Sequence, residues 1–218
     1  MVVATDSIKN TIYIKAKENP VTTPELYASV LGAHFIEKYS HLHAAHVKVI
    51  THRWTRMSID GKLHPHSFYR DGAETRVTEA VVRRGNGIHI KSGISGLLVL
   101  KSTGSQFHGF VRDEYTTLPE VWDRILSTEV GSVWNWKKYA TVAEVKASVP
   151  KFEAAWNDAR NITLKLFAEE NSPSVQNTMY KMCEKILEAA PDVETVEYSL
   201  PNKHYFEIGM SATSSVAG

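Results

Sequence analysis

The sequence is poor in several features whose scarcity narrows its class. Its single cysteine, Cys183, excludes an internal disulfide, so we expect a reducing compartment. Its 25 basic residues nearly balance its 24 acidic residues, whereas nucleic-acid-binding proteins usually carry a basic excess. No apolar run approaches the length needed to span a bilayer. We therefore expect neither nucleic acid nor a membrane as a partner.

The overall composition, with 43% hydrophobic and 22% charged residues, is typical of a globular protein. The first half of the chain is predicted to hold two helices followed by strands. Residues 2–17 suit either a helix, with Thr5 or Asp6 as its cap, or in part a strand. An amphipathic helix is predicted from Pro24. Strands joined by turns at 60–61 and 85–87 are predicted at 46–59, 67–70, 77–82 and 88–94.

The second half repeats the order of strands, helices and strands. The predicted elements are a strand from Leu97, a strand at 133–139, helices at 141–147, from Pro150 and from a break at 171–174 to about 190, and strands at 193–200 and 204–208. After a turn at 201–203, the last strand is expected to return beside the one before it. Antiparallel strands with helices on one face indicate an α+β class.

The stretch from Leu97 to Arg124 carries most of the functional information. An apolar strand leads into a polar loop that presents Phe107, and a helix is predicted from Thr117, with Pro119 in its first turn and Arg124 near its middle. A ring face and a guanidinium fork together suit a flat anion. Local chemistry alone favours the alternative that Phe107 is a core residue and Arg124 a solvated helix charge.

This stretch resembles the signature of the urate oxidase (uricase) family. The residues that fill the positions of that signature are Lys101, Ser102, Thr103, Ser105, Phe107, Phe110, Tyr115, Leu118 and Arg124. Three further stretches, at 3–11, 52–57 and 198–207, resemble the family in the same order along the chain, and the fungal members are the most similar.

The resemblance implies an α+β fold of two tandem tunnelling-fold (T-fold) units, each an antiparallel sheet with helices on one face. It favours a helix for residues 2–17 and divides the chain into a first unit at 1–95, a second unit at 96–210 and a disordered tail at 211–218. The family begins earlier, with a strand hairpin, and continues further, so we expect this chain to be part of a family member with its first unit incomplete. The resemblance also implies a homotetramer with its pockets at the subunit interfaces.

The resemblance further implies oxidation of urate by O2 to 5-hydroxyisourate and hydrogen peroxide, without a metal or an organic cofactor. Phe107 would stack on the purine and Arg124 would pair with its edge, opposite the Gln176 amide and the Val175 backbone. Thr5 and Asp6 would reach the pocket from an adjacent subunit, and Asn202 would hold O2 above the ring. Taken alone, Gln176 is a polar residue at a helix start, and Asn202 suits a left-handed turn.

His204 would act as the proton shuttle, with Thr5 bridging it to the substrate. The family relay has a third member, a lysine, and neither Lys9 nor Lys15 matches it. We therefore expect this chain alone to oxidise urate less efficiently than a full-length member. The family resides in the peroxisome, but this chain ends at Gly218 without a targeting tripeptide, and the cytoplasm is the alternative location.

Three other functions compete with this one. A pseudo-enzyme could bind urate-like purines without turnover, which the unmatched lysine favours. A T-fold enzyme acting on pterins is disfavoured by the uricase signature. Clustered histidines invite a metal site, but no zinc-type ligand pattern accompanies them, so we expect no metal.

Overall fold

The computed structural model of the protein describes residues 2–205. Its helices are α1 (Thr5–Glu18), α2 (Pro24–Lys38), α3 (Val142–Ala147), α4 (Val149–Glu169) and α5 (Val175–Ala189). Its strands are β1 (Ala44–His52), β2 (Thr55–Ile59), β3 (Lys62–Tyr69), β4 (Thr75–Arg83), β5 (Gly87–Lys101), β6 (Leu126–Trp136), β7 (Val193–Ser199) and β8 (Asn202–Lys203).

One antiparallel sheet organises the chain, in the order β1-β4-β5-β6-β7, with β8 paired to β6. Strands β2 and β3 form a separate hairpin. Helices α2, α4 and α5 pack on the sheet and share one hydrophobic core with it, built around side chains such as Trp134, Phe152 and Met182. The α+β prediction is confirmed, with the helices on one face of the sheet.

The first two helices differ in how they begin and in how much of their surface is buried. Helix α2 has Pro24 at its first positions, which suits the fixed φ of proline, and it buries Leu31 and Phe35. Helix α1 confirms the helical alternative for the N-terminal stretch, but its N-cap is Ala4, without a side-chain cap bond, and not Thr5 or Asp6. None of the residues of α1 is buried. It is attached through α2, where the Tyr27 hydroxyl donates to the Ile12 carbonyl at 2.8 Å.

The strand predicted at 46–59 is divided in two, because the chain leaves the main sheet after β1. At that exit Arg53 pairs with Asp71 at 3.1 Å and with Glu74 at 3.0 Å. The turn between β2 and β3 is the one predicted. Asp60 and Gly61 both have positive φ, at 50° and 76°, as a two-residue hairpin turn requires.

The predicted strands at 88–94 and from Leu97 are one long strand, β5. Its register with β6 shifts between Ile94 and Leu97, where Gly96 has a φ of +73°. A residue in the left-handed region inside a strand is typical of a β-bulge, and glycine adopts it at low cost. The proposed boundary between the units 1–95 and 96–210 falls at this bulge and stays a prediction.

The helix predicted from Thr117 is wrong, and Arg124 does not lie on a helix. Residues 102–125 form no helix or named strand. The backbone here bonds to a distant segment instead of forming helical hydrogen bonds. Phe107 and Val121 exchange backbone hydrogen bonds of 2.7 and 2.9 Å. Asp113 fixes a local turn by accepting from the Thr116 hydroxyl at 2.8 Å.

The turn predicted at 201–203 is wrong, because Asn202 and Lys203 form β8. Of the return strand predicted at 204–208, the described residues 204 and 205 belong to no strand. Strands β7 and β8 both pair with β6, one after the other along the same edge. Pro201 separates them because it has no N–H to donate, and its carbonyl accepts from the Thr128 hydroxyl at 2.9 Å. His204 lies past the end of β8. Residues 206–208 and the predicted disordered tail at 211–218 lie outside the described residues.

The packing of β5 on β6 predicts unequal effects of two similar substitutions. A Cβ on Gly93 would overlap the backbone oxygen of Ser132, whereas one on Gly131 would meet its nearest neighbours at 3.8 Å. We expect Gly93→Ala to lower the free energy of unfolding by about 1–3 kcal/mol, the cost of overpacking. Gly131→Ala should change it by less than about 1 kcal/mol. Urea titration of both variants tests this, and equal destabilisation would contradict the tight approach at Gly93.

Candidate active site

Three backbone segments lie side by side at one end of the sheet, where β5 ends and β6 begins. The middle segment, 104–107, bonds to 121–124 on one side: Phe107 exchanges two bonds with Val121, and the Arg124 amide donates to the Ser105 carbonyl at 2.9 Å. On its other side it bonds to Ser172, whose carbonyl accepts from the Gln106 amide at 2.8 Å and whose amide donates to the Gly104 carbonyl at 3.1 Å. We call this three-segment arrangement, 104–107 with 121–124 and 172–174, the site ladder.

The site ladder brings Phe107 and Arg124 together. The Arg124 guanidinium carbon lies 5.5 Å from the centre of the Phe107 ring, and that ring stacks on Phe110 at 4.8 Å. Phe107 is half-buried and is not among the buried residues of the hydrophobic core, so the core alternative for it is not borne out. The Arg124 Nε is buried without a hydrogen-bond partner in the described part of the chain. A ring and a cation with an unused donor therefore stand side by side.

Helix α5 begins directly after the third segment of the site ladder. Its N-cap, Ser174, accepts from the Asn177 amide at 3.2 Å, as predicted from the 171–174 break. Val175 is the first residue of the helix and is half-buried, while Gln176 follows it and is exposed. The first amides of a helix lack partners within the helix and favour an anion. The structure thus places Val175 and Gln176 next to the segment that carries Phe107.

Asn202 lies on the β6 side of the same sheet end. It pairs with Thr128, four positions along the chain from Arg124. Asn202 is in β8, and among residues 2–205 the only non-glycine residue with positive φ is Asp60. The left-handed alternative for Asn202 is therefore wrong. Asn202 and His204 are both exposed.

Thr5 and Asp6 lie elsewhere in the single chain. They start α1, which packs against α2, and α2 packs on β1 and β4. The site ladder lies at β5 and β6, two to three strand spacings of about 4.8 Å across the sheet from β1. Both residues are exposed, and Asp6 pairs with Lys9 at 3.0 Å in its own helix. Within one chain these two predicted site residues do not join the Phe107–Arg124 cluster.

Comparison with known proteins places these residues in a family. The uricase family model matches residues 1–81 and 90–217 of the chain. The chain belongs to the uricase family.

The relatives and the solved structures agree with this assignment. The chain is 66% identical to the uricase of Aspergillus flavus and 67% identical to that of Emericella nidulans, over 97% of this chain and 70% of each relative. The crystal structure of the uricase from Arthrobacter globiformis is similar with a TM-score of 0.82 and 39% identity, over 95% of this chain and 67% of that one. The resemblance to urate oxidases of fungal type and the α+β class are both confirmed.

One residue of the uricase signature, Lys101, supports the elements on which the site is built. Lys101 donates to the Glu170 carbonyl at 2.7 Å and thereby ties the end of β5 to the end of α4. Its ammonium lies 5.5 Å from the Phe167 ring, and burial lowers its pKa. Lys101 is therefore an anchor between two elements on which the site is built.

Sequence reasoning missed Asp123, which fixes the loop of this uricase-family chain. Its carboxylate accepts from the Thr103 hydroxyl at 2.5 Å and from the Gly104 amide at 2.8 Å. The hydrogen bond from Thr103, followed by the one from the Gly104 amide, holds the pKa of Asp123 below its usual value. A depressed pKa means that the anchor is intact at neutral pH and weakens as the pH falls through the folded-state pKa. The only signal in the sequence was its position next to Arg124.

The described residues contain neither a cluster of metal ligands nor a membrane-spanning helix. Within the span 2–205, no group of three or more His, Cys, Asp or Glu side chains is placed to hold a metal ion. Over the same span, no helix is both long enough and apolar enough to cross a membrane.

Proposed function

We propose that this chain binds urate and oxidises it with O2 to 5-hydroxyisourate and hydrogen peroxide, without a metal or an organic cofactor. The observation that carries the proposal is the site ladder, which holds Phe107 and Arg124 beside the start of α5 in a chain of the uricase family. A flat anion needs a ring to stack on and a planar fork of donors at its edge. That cluster offers both.

In this proposal four residues hold the substrate. Phe107 stacks on the purine, and Arg124 donates two parallel hydrogen bonds to an oxygen and a ring nitrogen. Gln176 contacts the opposite edge with an amide that offers a donor and an acceptor. The Val175 amide adds a donor from the first turn of α5, where the helix dipole favours negative charge. Holding the ring flat prepares it for attack on one face.

The remaining predicted residues supply oxygen placement and proton transfer. We assign Asn202 to O2 above the ring, because its pairing with Thr128 sets it near the start of β6, the strand that follows Arg124 along the chain. His204, two residues later, is assigned as the proton shuttle, and Thr5 as its bridge to the substrate. An imidazole suits this task because one ring nitrogen can accept a proton while the other donates one.

We further propose that the site is completed in a homotetramer, in which Thr5 and Asp6 come from an adjacent subunit. Their separation from the site ladder in one chain supports this. So does the exposure of large apolar side chains on and beside the β2–β3 hairpin, namely Trp54, Ile59, Leu63, Phe68 and Tyr69. We also propose the peroxisome as the location of the protein, because the chain belongs to the uricase family.

The test is urate consumption by the purified chain in air, followed by absorbance and by hydrogen peroxide formation, with sedimentation to give the oligomeric state. We expect urate to disappear in air and to be bound without loss when O2 is removed. Binding without loss in air would replace the proposal with a binding protein that lacks turnover. A chain that neither binds nor consumes urate would refute the proposed function.

A further inference from the structure

We propose that Ser172 and Thr178 are positioning residues of the urate site, acting through a buried pair of hydroxyl groups. The pair fixes the start of α5 against the segment that carries Phe107. This inference rests on the proposed function and adds to it two residues that do not contact the substrate.

The hydroxyl pair is buried and fully bonded. Ser172 is 0% exposed and Thr178 is 2% exposed. Their side-chain oxygens are 2.6 Å apart, and the Ser172 hydroxyl lies 2.9 Å from the Ser174 carbonyl. When Thr178 donates to Ser172 and Ser172 donates to Ser174, both hydroxyl hydrogens are used. Such a chain of short, buried hydrogen bonds holds its members in one arrangement.

The backbone and the side chain of Ser172 bond to different segments, so this residue connects the Phe107 segment to α5. Its backbone bonds to Gly104 and Gln106, on either side of Ser105 and next to Phe107. Its side chain bonds to Ser174, the N-cap, and to Thr178 in the first turns of α5. One buried residue therefore sets the distance between the stacking ring and the helix start that carries Val175 and Gln176.

A role in stability alone would be expected of any buried hydroxyl pair, and the chain contains a suitable control. Thr163 on α4 is 0% exposed, and its hydroxyl lies 2.5 Å from the Tyr198 hydroxyl and 2.6 Å from the Ala159 carbonyl. The bonds of this pair join α4 to β7, and neither is made to the site ladder. Loss of either pair removes buried hydrogen bonds of the same kind, but only the first should affect urate.

The experiment measures the dissociation constant for urate in the absence of O2, together with the melting temperature. The proteins are the wild type, Ser172→Ala, Thr178→Val, Thr178→Ser and Thr163→Val. We expect Ser172→Ala and Thr178→Val to bind urate about tenfold more weakly, because small displacements of positioning groups have large effects on a site. Thr178→Ser keeps the hydroxyl and should stay within about twofold of wild type. The urate affinity of Thr163→Val should also stay within about twofold of wild type. Its melting temperature should nevertheless fall by as much as that of Thr178→Val.

Hydrogen exchange gives a second readout that needs no ligand. In Ser172→Ala, the amides of Gln106 and Asn177 should exchange faster, while the amides in the middle of β4 should not change. Unchanged affinity in Ser172→Ala, or equal weakening in Thr163→Val, would overturn the inference while leaving the proposed function in place. A wild-type chain that fails to bind urate would overturn the proposed function, and the inference with it.

Discussion

Replacement of Arg124 by glutamine is expected to weaken urate binding at least about 100-fold. A hydrogen bond to a charged group contributes about 1.5–3 kcal/mol, and the proposed fork makes two of them, whereas each 1.4 kcal/mol is a factor of ten. The guanidinium is already positioned, since it lies 5.5 Å from the Phe107 ring and its Nε has no partner in the described part of the chain. Arg124→Lys should recover little, because an ammonium cannot form the planar fork.

The control for this prediction comes from the same loop. Arg112 also places its guanidinium over an aromatic ring, at 5.4 Å from the Phe110 centre, and it donates to the Leu118 carbonyl at 3.0 Å. We expect Arg112→Gln to stay within about twofold of wild type in urate affinity, because Arg112 is exposed and bonded within its own turn. Anaerobic titration with urate, and the rate of urate loss in air, compare the two variants. Similar losses in both would mean that the loop needs positive charge but not a fork at position 124.

Glu25→Gln is expected to lower the free energy of unfolding by about 3–5 kcal/mol, the cost of breaking a buried ion pair. Glu25 lies in the first turn of α2 and is 0% exposed. Its carboxylate accepts from Arg76 at 3.0 Å, from Ser92 at 2.6 Å and from Thr78 at 3.2 Å. A neutral amide cannot accept all these bonds, and among residues 2–205 it leaves the buried Arg76 with Glu153 alone as its counterion, at 2.7 Å.

An exposed ion pair on the same sheet shows what burial adds. Glu79 on β4 pairs with Lys48 on β1 at 3.1 Å, with side chains 45% and 56% exposed. We expect Glu79→Gln to change the free energy of unfolding by less than about 1 kcal/mol, because solvent screens such pairs. Urea unfolding followed by circular dichroism measures both variants under one condition. A small effect of Glu25→Gln would show that α2 does not depend on its buried carboxylate.

The elements that the sequence predicted well are those whose periodicity reflects burial. Alternation in β4 follows from one face on the core, and the apolar spacing of α2 and α4 follows from their packing on the same sheet. The N-cap of α5 also followed from local chemistry, since Ser174 accepts from the Asn177 amide as expected. In each case the information lies within a few residues of the element that it specifies.

The failures share the opposite cause, which is bonding between distant segments. The helix predicted from Thr117 has a proline and a capping residue in the right places, but the chain there bonds to 104–107 instead. The residues around Asn202 are typical of a turn, but Asn202 itself pairs with β6. The pairing of Phe107 with Arg124 was predicted from family resemblance, whereas local reasoning favoured a core ring and a solvated charge. Asp123 was missed because its partners precede it by many residues.

The site ladder has a consequence for the order in which the protein folds. It joins segments that are distant in sequence, and the neighbouring bond from Lys101 to Glu170 spans 69 residues. Closing such a loop costs chain entropy before its contacts repay it, so contacts of this kind form late. Helix α4 lies inside this loop, so it must reach the sheet before the loop can close. The region that would recognise urate therefore depends on contacts that form late, and a nascent chain can complete it only after Ser172 has been synthesised and α4 has reached the sheet.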